Sequence, residues 1–104
     1  MADLDRLAEM FKLLGDKNRL QIVALLNDRE LCVCEMVELL STSQPNISQH
    51  IRKLKDAQLI KETRKGQWNY YSLSATDKPY LQAVLALLPN QEEKFKQFTP
   101  VACC

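Results

Sequence analysis

Leu4, Leu7, Phe11 and Leu14 recur at helical spacing and draw an apolar stripe along the start of the chain, leaving Asp3, Asp5, Arg6 and Lys12 to solvent. Gly15 is a stop signal and Asp16 an N-cap, which predicts a second helix over about 17–27 that buries Leu20, Val23 and Leu26 with Ile22 at its flank. A third helix is expected over 31–40, with Met36, Leu39 and Leu40 inward. Ser41-Thr42-Ser43 then turns the chain and caps a fourth, where Pro45 is tolerated in the first turn. Ile47, Ile51 and Leu54 line its buried side, and Gln58 ends the run. After Leu59 the period shortens to two, so 59–64 and 67–73 read as strands of a hairpin turning at Lys65-Gly66, where glycine permits a positive φ. Thr76 or Asp77 is placed to cap a last helix, with Pro79 in its first turn and Leu81, Val84, Leu85 and Leu88 on one face. Pro89 ends or kinks that helix, 91–98 adds a helical turn or two, and 99–104 is a loose tail.

This order is mainly α with one small β-hairpin. Two helices joined by a three-residue turn and followed by a hairpin make a winged helix-turn-helix. At 104 residues the chain builds one core, in a domain over 1–88 with a C-terminal extension over 89–104. The stripes on the terminal helices pack as core, yet a narrow seam also suits a partner. Leu4, Leu7 and Phe11 with Leu81, Val84, Leu85 and Leu88, widened by Tyr80 and Leu87, therefore predict a homodimer. No apolar run approaches the roughly 18 to 20 residues of a membrane span, and the start has no basic and apolar export signal. The expected location is the cytoplasm, with no membrane partner.

Net charge is +1, too little for a generic polyanion binder, but its distribution is uneven. From Ser41 to Gly66, Arg52, Lys53, Lys55, Lys61, Arg64 and Lys65 face only Asp56 and Glu62, giving +4 there and −3 over the remainder. Opposite the buried side of the fourth helix lie Gln44, Asn46, Ser48, Gln49, Arg52 and Lys53. Amides pair with adenine and arginine with guanine, whereas serine and lysine suit phosphates. Arg64 and Lys65 at the hairpin tip are placed for phosphates or the minor groove, while Trp68, Tyr70 and Tyr71 suit sheet packing. The candidate partner is double-stranded DNA. His50 lies at the edge of the buried face and suits packing and hydrogen bonding, since no second histidine exists to share a metal.

Four cysteines fall as two tight pairs, Cys32/Cys34 and Cys103/Cys104. In a reducing compartment such pairs bind metal or carry out redox chemistry more often than they staple a fold. Cys32 stands where a capping box wants serine or threonine, with Glu35 three residues on. That position is the positive end of a helix dipole and favours thiolate over thiol. Side chains two apart on a helix diverge, so Cys32 and Cys34 reach one ion together only if the first turn unwinds. Thiolates without imidazole suit a metalloid or a soft heavy metal. No Cys-x-x-Cys motif on a strand–helix unit is present, and no enzymatic activity is expected.

Glu30-Leu-Cys-Val-Cys-Glu-Met, the Ser-Gln-Pro-Asn-Ile-Ser-Gln-His-Ile-Arg-Lys-Leu helix and the Gly-Gln-Trp-Asn-Tyr-Tyr-Ser-Leu strand together resemble the ArsR/SmtB family of metalloregulatory repressors, most closely its arsenical-resistance operon repressors. The resemblance runs to about Leu88. It implies a homodimer that binds an imperfect inverted repeat in its own promoter and is released when trivalent arsenic or antimony binds thiolates, with no cofactor needed for DNA binding. By position, Cys32 and Cys34 match the family's inducer ligands. The best-known arsenical box has a further cysteine where this chain has Val37, which leaves Cys103 or Cys104 of either subunit or an outside thiol to complete the site, or the tail pair to form a separate site of its own. The paired Asp and His of the family's other main site, for zinc, cobalt or nickel, have no counterpart, since His50 is the one histidine. The alternatives are a thiol redox-responsive repressor and a cadmium- or lead-responsive repressor of the same fold.

Overall fold

The helix α2 (Lys17–Asp28) is the hub of the structure, a computed structural model that describes residues 4–74, 78–89 and 91–96. Ile22, Val23 and Leu25 of α2 are fully buried, and Ala24 and Leu26 nearly so. Ile22 was expected at the flank and Leu20 inside, but Ile22 is enclosed and Leu20 only half-buried. The reason is that α2 is packed on several sides, by α1 (Leu4–Leu14), α4 (Gln44–Asp56) and strand β3 (Trp68–Leu73). A helix enclosed in this way carries no single stripe for a periodicity argument to find.

The local signals at its ends hold. α1 stops at Leu14, and the Asp16 carboxylate accepts from the amides of Asn18 at 2.8 Å and Arg19 at 3.2 Å. Ser43 caps α4, its Oγ accepting from the Asn46 amide at 3.3 Å, with Pro45 in the first turn. Gln58 ends the helical run by adopting a left-handed φ of 63°, and Gly66 turns the hairpin at φ 64°.

An unexpected strand precedes the third helix. β1 (Leu31–Cys32) pairs antiparallel with β3, Leu31 opposite Tyr71 and Cys32 opposite Tyr70, and only then does α3 (Val33–Leu40) begin. The wing strand β2 (Ile60–Lys65) pairs along the other edge of β3, from Ile60 opposite Leu73 to Lys65 opposite Trp68, giving the sheet order β1-β3-β2. Met36 and Leu39 point into the core as expected; Leu40 is half-buried.

The last helix, α5 (Pro79–Leu87), has Lys78 as its N-cap; Thr76 and Asp77, expected to cap it, lie outside the described residues. Lys78 is itself buried, and its Nζ donates to the Ser74 carbonyl at 3.0 Å. A short α6 (Glu92–Lys96) returns to the end of α2, where Phe95 is buried with the Arg29 guanidinium 4.0 Å from its ring centroid. The Gln91 amide donates to the Asp28 carboxylate at 3.3 Å. Among the described residues no helix is long and apolar enough to cross a membrane.

Leu25→Ala leaves a cavity at the centre of this packing and is expected to lower unfolding free energy by about 2 to 5 kcal/mol, read as a fall in urea midpoint at unchanged slope.

Candidate functional site

Two side-chain groups with distinct chemistry lie next to one another along the chain: a polar and basic face on α4 and the wing, and a thiol at the entrance to α3. The first follows from amphipathicity. Ile47, His50, Ile51 and Leu54 bury one side of α4, which leaves Gln44, Ser48, Gln49, Arg52 and Lys53 exposed on the rest. Asn46 is half-buried and donates from Nδ2 to Thr42 Oγ1 at 2.9 Å, so it braces the turn between α3 and α4. Ser41 makes that turn by adopting φ 50° and ψ 52°.

On the wing, Lys61, Arg64 and Lys65 are exposed. Arg64 Nε donates to the Gly66 carbonyl at 3.1 Å, which aligns the side chain along the tip. Lys65 Nζ forms an ion pair with Glu30, just before β1, and sits 5.4 Å from the Tyr70 ring centroid. The hydrogen bond that Lys65 donates to the Glu30 carboxylate raises the Lys65 pKa above its ordinary value. A second pair, Lys55 Nζ to Glu62 Oε1 at 2.7 Å, ties the end of α4 to β2 and raises the Lys55 pKa through the same kind of bond. Burial pushes the Tyr71 phenol up, with Glu62 adding to the effect.

The thiol group is organised by a cap. Glu35 Oε1 accepts from the Cys32 amide at 3.0 Å, one half of a capping box in which cysteine stands at the N-cap. Cys32 is 4% exposed and retains its thiol, whereas Cys34 is half-buried and disulfide-bonded. Val37 is half-buried on the same short helix. Cys103 and Cys104 lie outside the described residues.

The residues proposed for a dimer seam divide. Leu81 is fully buried within its own chain, because α5 packs that side inward. Leu7, Val84, Leu85 and Leu88 are half-buried, while Leu4, Phe11 and Leu87 are exposed at 83%, 56% and 84%.

Three elements near the site escaped sequence reasoning: β1, the Glu30–Lys65 pair, and the contact of His50 with Arg19. His50 is 8% exposed, and its Nδ1 lies 3.3 Å from an Arg19 terminal nitrogen while Arg19 Nε donates to the Leu13 carbonyl at 2.6 Å. This chain of contacts joins α1, α2 and α4. The burial and partnering of His50 were legible from its place on α4; the identity of Arg19 was not, because it comes from 31 residues earlier.

A helix-turn-helix with a two-stranded wing and an exposed basic face defines a winged helix-turn-helix transcriptional regulator. The profile described as "Bacterial regulatory protein, arsR family" matches residues 16–62. Arsenic resistance transcriptional regulator ArsR1 of Pseudomonas putida is 40% identical over 77 residues, 73% of this chain and 60% of that protein, so the chain spans less than two thirds of that relative. The arsenical resistance operon repressor of Escherichia coli is 37% identical over 90 residues, 86% of this chain and 74% of that protein. Among solved structures, the homodimeric winged helix-turn-helix DNA-binding domain of a possible ArsR-family regulator from Mycobacterium bovis superposes with a TM-score of 0.70 at 25% identity, over 93% of this chain and 90% of that one. The chain belongs to the arsR family of bacterial regulatory proteins.

His50 supplies a pH test of the α2–α4 contact. Burial lowers its pKa below 6.5, with Arg19 and Lys53 adding to the effect and Asp16 opposing it. Below about pH 6.5 the unfolded chain takes up a proton that the folded chain refuses, so stability is full above that pH and lost as pH falls. Wild type is expected to lose more melting temperature than His50→Gln between about pH 7.5 and pH 5.5, by circular dichroism.

Proposed function

We propose that this chain is a metalloid-responsive repressor: a homodimer that binds operator DNA through α4 and the wing, and leaves it when Cys32 and Cys34 capture trivalent arsenic or antimony. The observation that carries the reading is the position of Cys32. It is the N-cap of the helix packed on α4 and, through β1, the strand partner of Tyr70 in the wing. Both elements with the polar and basic face are therefore mechanically joined to one thiol. The names of the arsenical-resistance relatives support the choice of ligand.

The chemistry follows from the ligand set. Thiolates at the positive end of α3 are favoured by its dipole and select thiophilic ions. Cys32 lies just outside α3 and Cys34 within its first turn, so both sulfurs converge on one ion only by unwinding that turn. Unwinding breaks the Glu35–Cys32 hydrogen bond, and the placement of the two subunits' α4 helices that fits DNA becomes the less stable arrangement. A coupling of about 1 to 3 kcal/mol is typical of such linkage. Val37 leaves a third thiolate to Cys103, Cys104 or an outside thiol. Gln44, Ser48, Gln49, Arg52 and Lys53 read and grip the major groove, with Asn46 bracing the turn before them and Arg64 and Lys65 on phosphates. Leu4, Phe11 and Leu87 are the exposed apolar residues that support dimerisation through the terminal helices.

The disulfide at Cys34 favours a second reading, a thiol redox-responsive repressor of the same fold. Two thiols would close to a disulfide, passing two electrons and two protons to a peroxide that leaves as water.

Titrating the reduced protein on a fluorescent fragment of its own promoter with arsenite is expected to lower anisotropy at a low ratio of arsenite to subunit. Cys32→Ser and Cys34→Ser are expected to keep promoter binding and lose that release. Binding that persists in arsenite but is lost on peroxide selects the second reading, with the disulfide identified by mass spectrometry. No binding to the promoter by the reduced protein refutes both.

A further inference from the structure

We propose that Glu30 is a positioning residue that competes with DNA phosphate for Lys65, so that the segment bearing Cys32 controls how much of the wing's charge is available to DNA. The inference rests on the DNA-binding reading above and adds to it a route from the thiol to the wing tip that does not pass through α4.

Three observations converge on Lys65. It is the last residue of β2, next to the Gly66 turn, and its side chain is 57% exposed. Its Nζ is paired with Glu30, the residue immediately before β1 and two before Cys32. The same Nζ lies over the ring of Tyr70, the residue opposite Cys32 in the sheet. The wing tip is thus tied to the thiol segment twice, once through side chains and once through backbone register. The other wing carboxylate, Glu62, is engaged by Lys55.

The ion pair has the properties of a competitor. It is open to solvent on both sides, so it is screened and exchangeable, unlike a buried pair that could not let go. A phosphate oxygen offers Lys65 the same charge-assisted hydrogen bond with counterion release added. For Lys65 to take it, the Glu30 side chain must swing aside; Glu30 lies one residue outside β1, so this leaves the Leu31–Tyr71 and Cys32–Tyr70 pairings in place. An ion bridging Cys32 to the first turn of α3 removes that freedom, keeps Glu30 on Lys65 and withholds one cation per subunit from DNA.

The test is a double-mutant cycle in promoter binding, read by anisotropy across a salt series. Glu30→Gln is expected to tighten binding and to steepen the slope of log affinity against log salt by the withheld part of the about 0.9 per subunit that one phosphate contact supplies. Lys65→Gln is expected to weaken binding and flatten the slope by the remaining part of that amount, so that the two changes sum to about 0.9 per subunit. Glu30→Gln made in the Lys65→Gln background is expected to change neither quantity. An equal gain in both backgrounds would mean that Glu30 acts only as a general negative charge, and an unchanged slope in the single variant would mean that Lys65 is not withheld; either overturns the proposal. In arsenite, Glu30→Gln is expected to stay on DNA at concentrations that release wild type; release at the wild-type concentration also overturns it. Failure of arsenite to release wild type refutes the metalloid reading instead, and the salt cycle, run without arsenite, still decides the latch.

Discussion

Everything at the end of the molecule that carries the wing and the start of α3 depends on the two backbone pairings that place Leu31 and Cys32 alongside Tyr71 and Tyr70. Without them the hairpin of β2 and β3 would be a two-stranded ribbon, marginal in water by itself. With them it becomes a three-stranded sheet with Leu31, Ile60 and Tyr71 buried in the common core. The same pairings set where α3 begins, since Cys32 leaves the strand and becomes the helix cap within one residue. One short stretch therefore fixes the wing on one side and the helix-turn-helix on the other.

The parts that sequence reasoning recovered are those decided within a few residues. Asp16 and Ser43 accept from amides two or three positions ahead; Gly66 meets a turn that demands its backbone freedom; Cys32 and Glu35 form their cap across a single helical turn. Each is settled by chemistry that the chain carries locally, and each is found where expected. β1 was not legible for the opposite reason. Two residues are too few to show an alternating pattern, and their partners stand about forty positions later.

The burial pattern shows the same division. The stripes of α1 and α5 suggest a seam, but they do not tell which members turn inward. Leu81 is lost to the chain's own core while Leu87, outside the main stripe, is left open. In α2 the enclosure of Ile22 and Leu25 reflects how many neighbours surround that helix, a property of the assembled fold. The site followed suit: the thiols and the polar face were readable as residue types at a spacing, whereas Glu30 and Arg19 gained their roles only from the side chains that folding brought to them.

The end of α4 is not a free end. Lys55 reaches Glu62 on β2, the Leu59 amide returns to the Leu54 carbonyl at 3.0 Å, and the Ser74 amide bonds the Leu59 carbonyl at 2.9 Å. Helix and hairpin are thereby fastened into a single stiff jaw. On the proposed DNA-binding reading, a jaw of that kind does not adjust its two parts separately to an ill-fitting duplex, and the bending would fall to the DNA. Base pairs that neither part touches then matter through how cheaply they let the duplex curve between the grips.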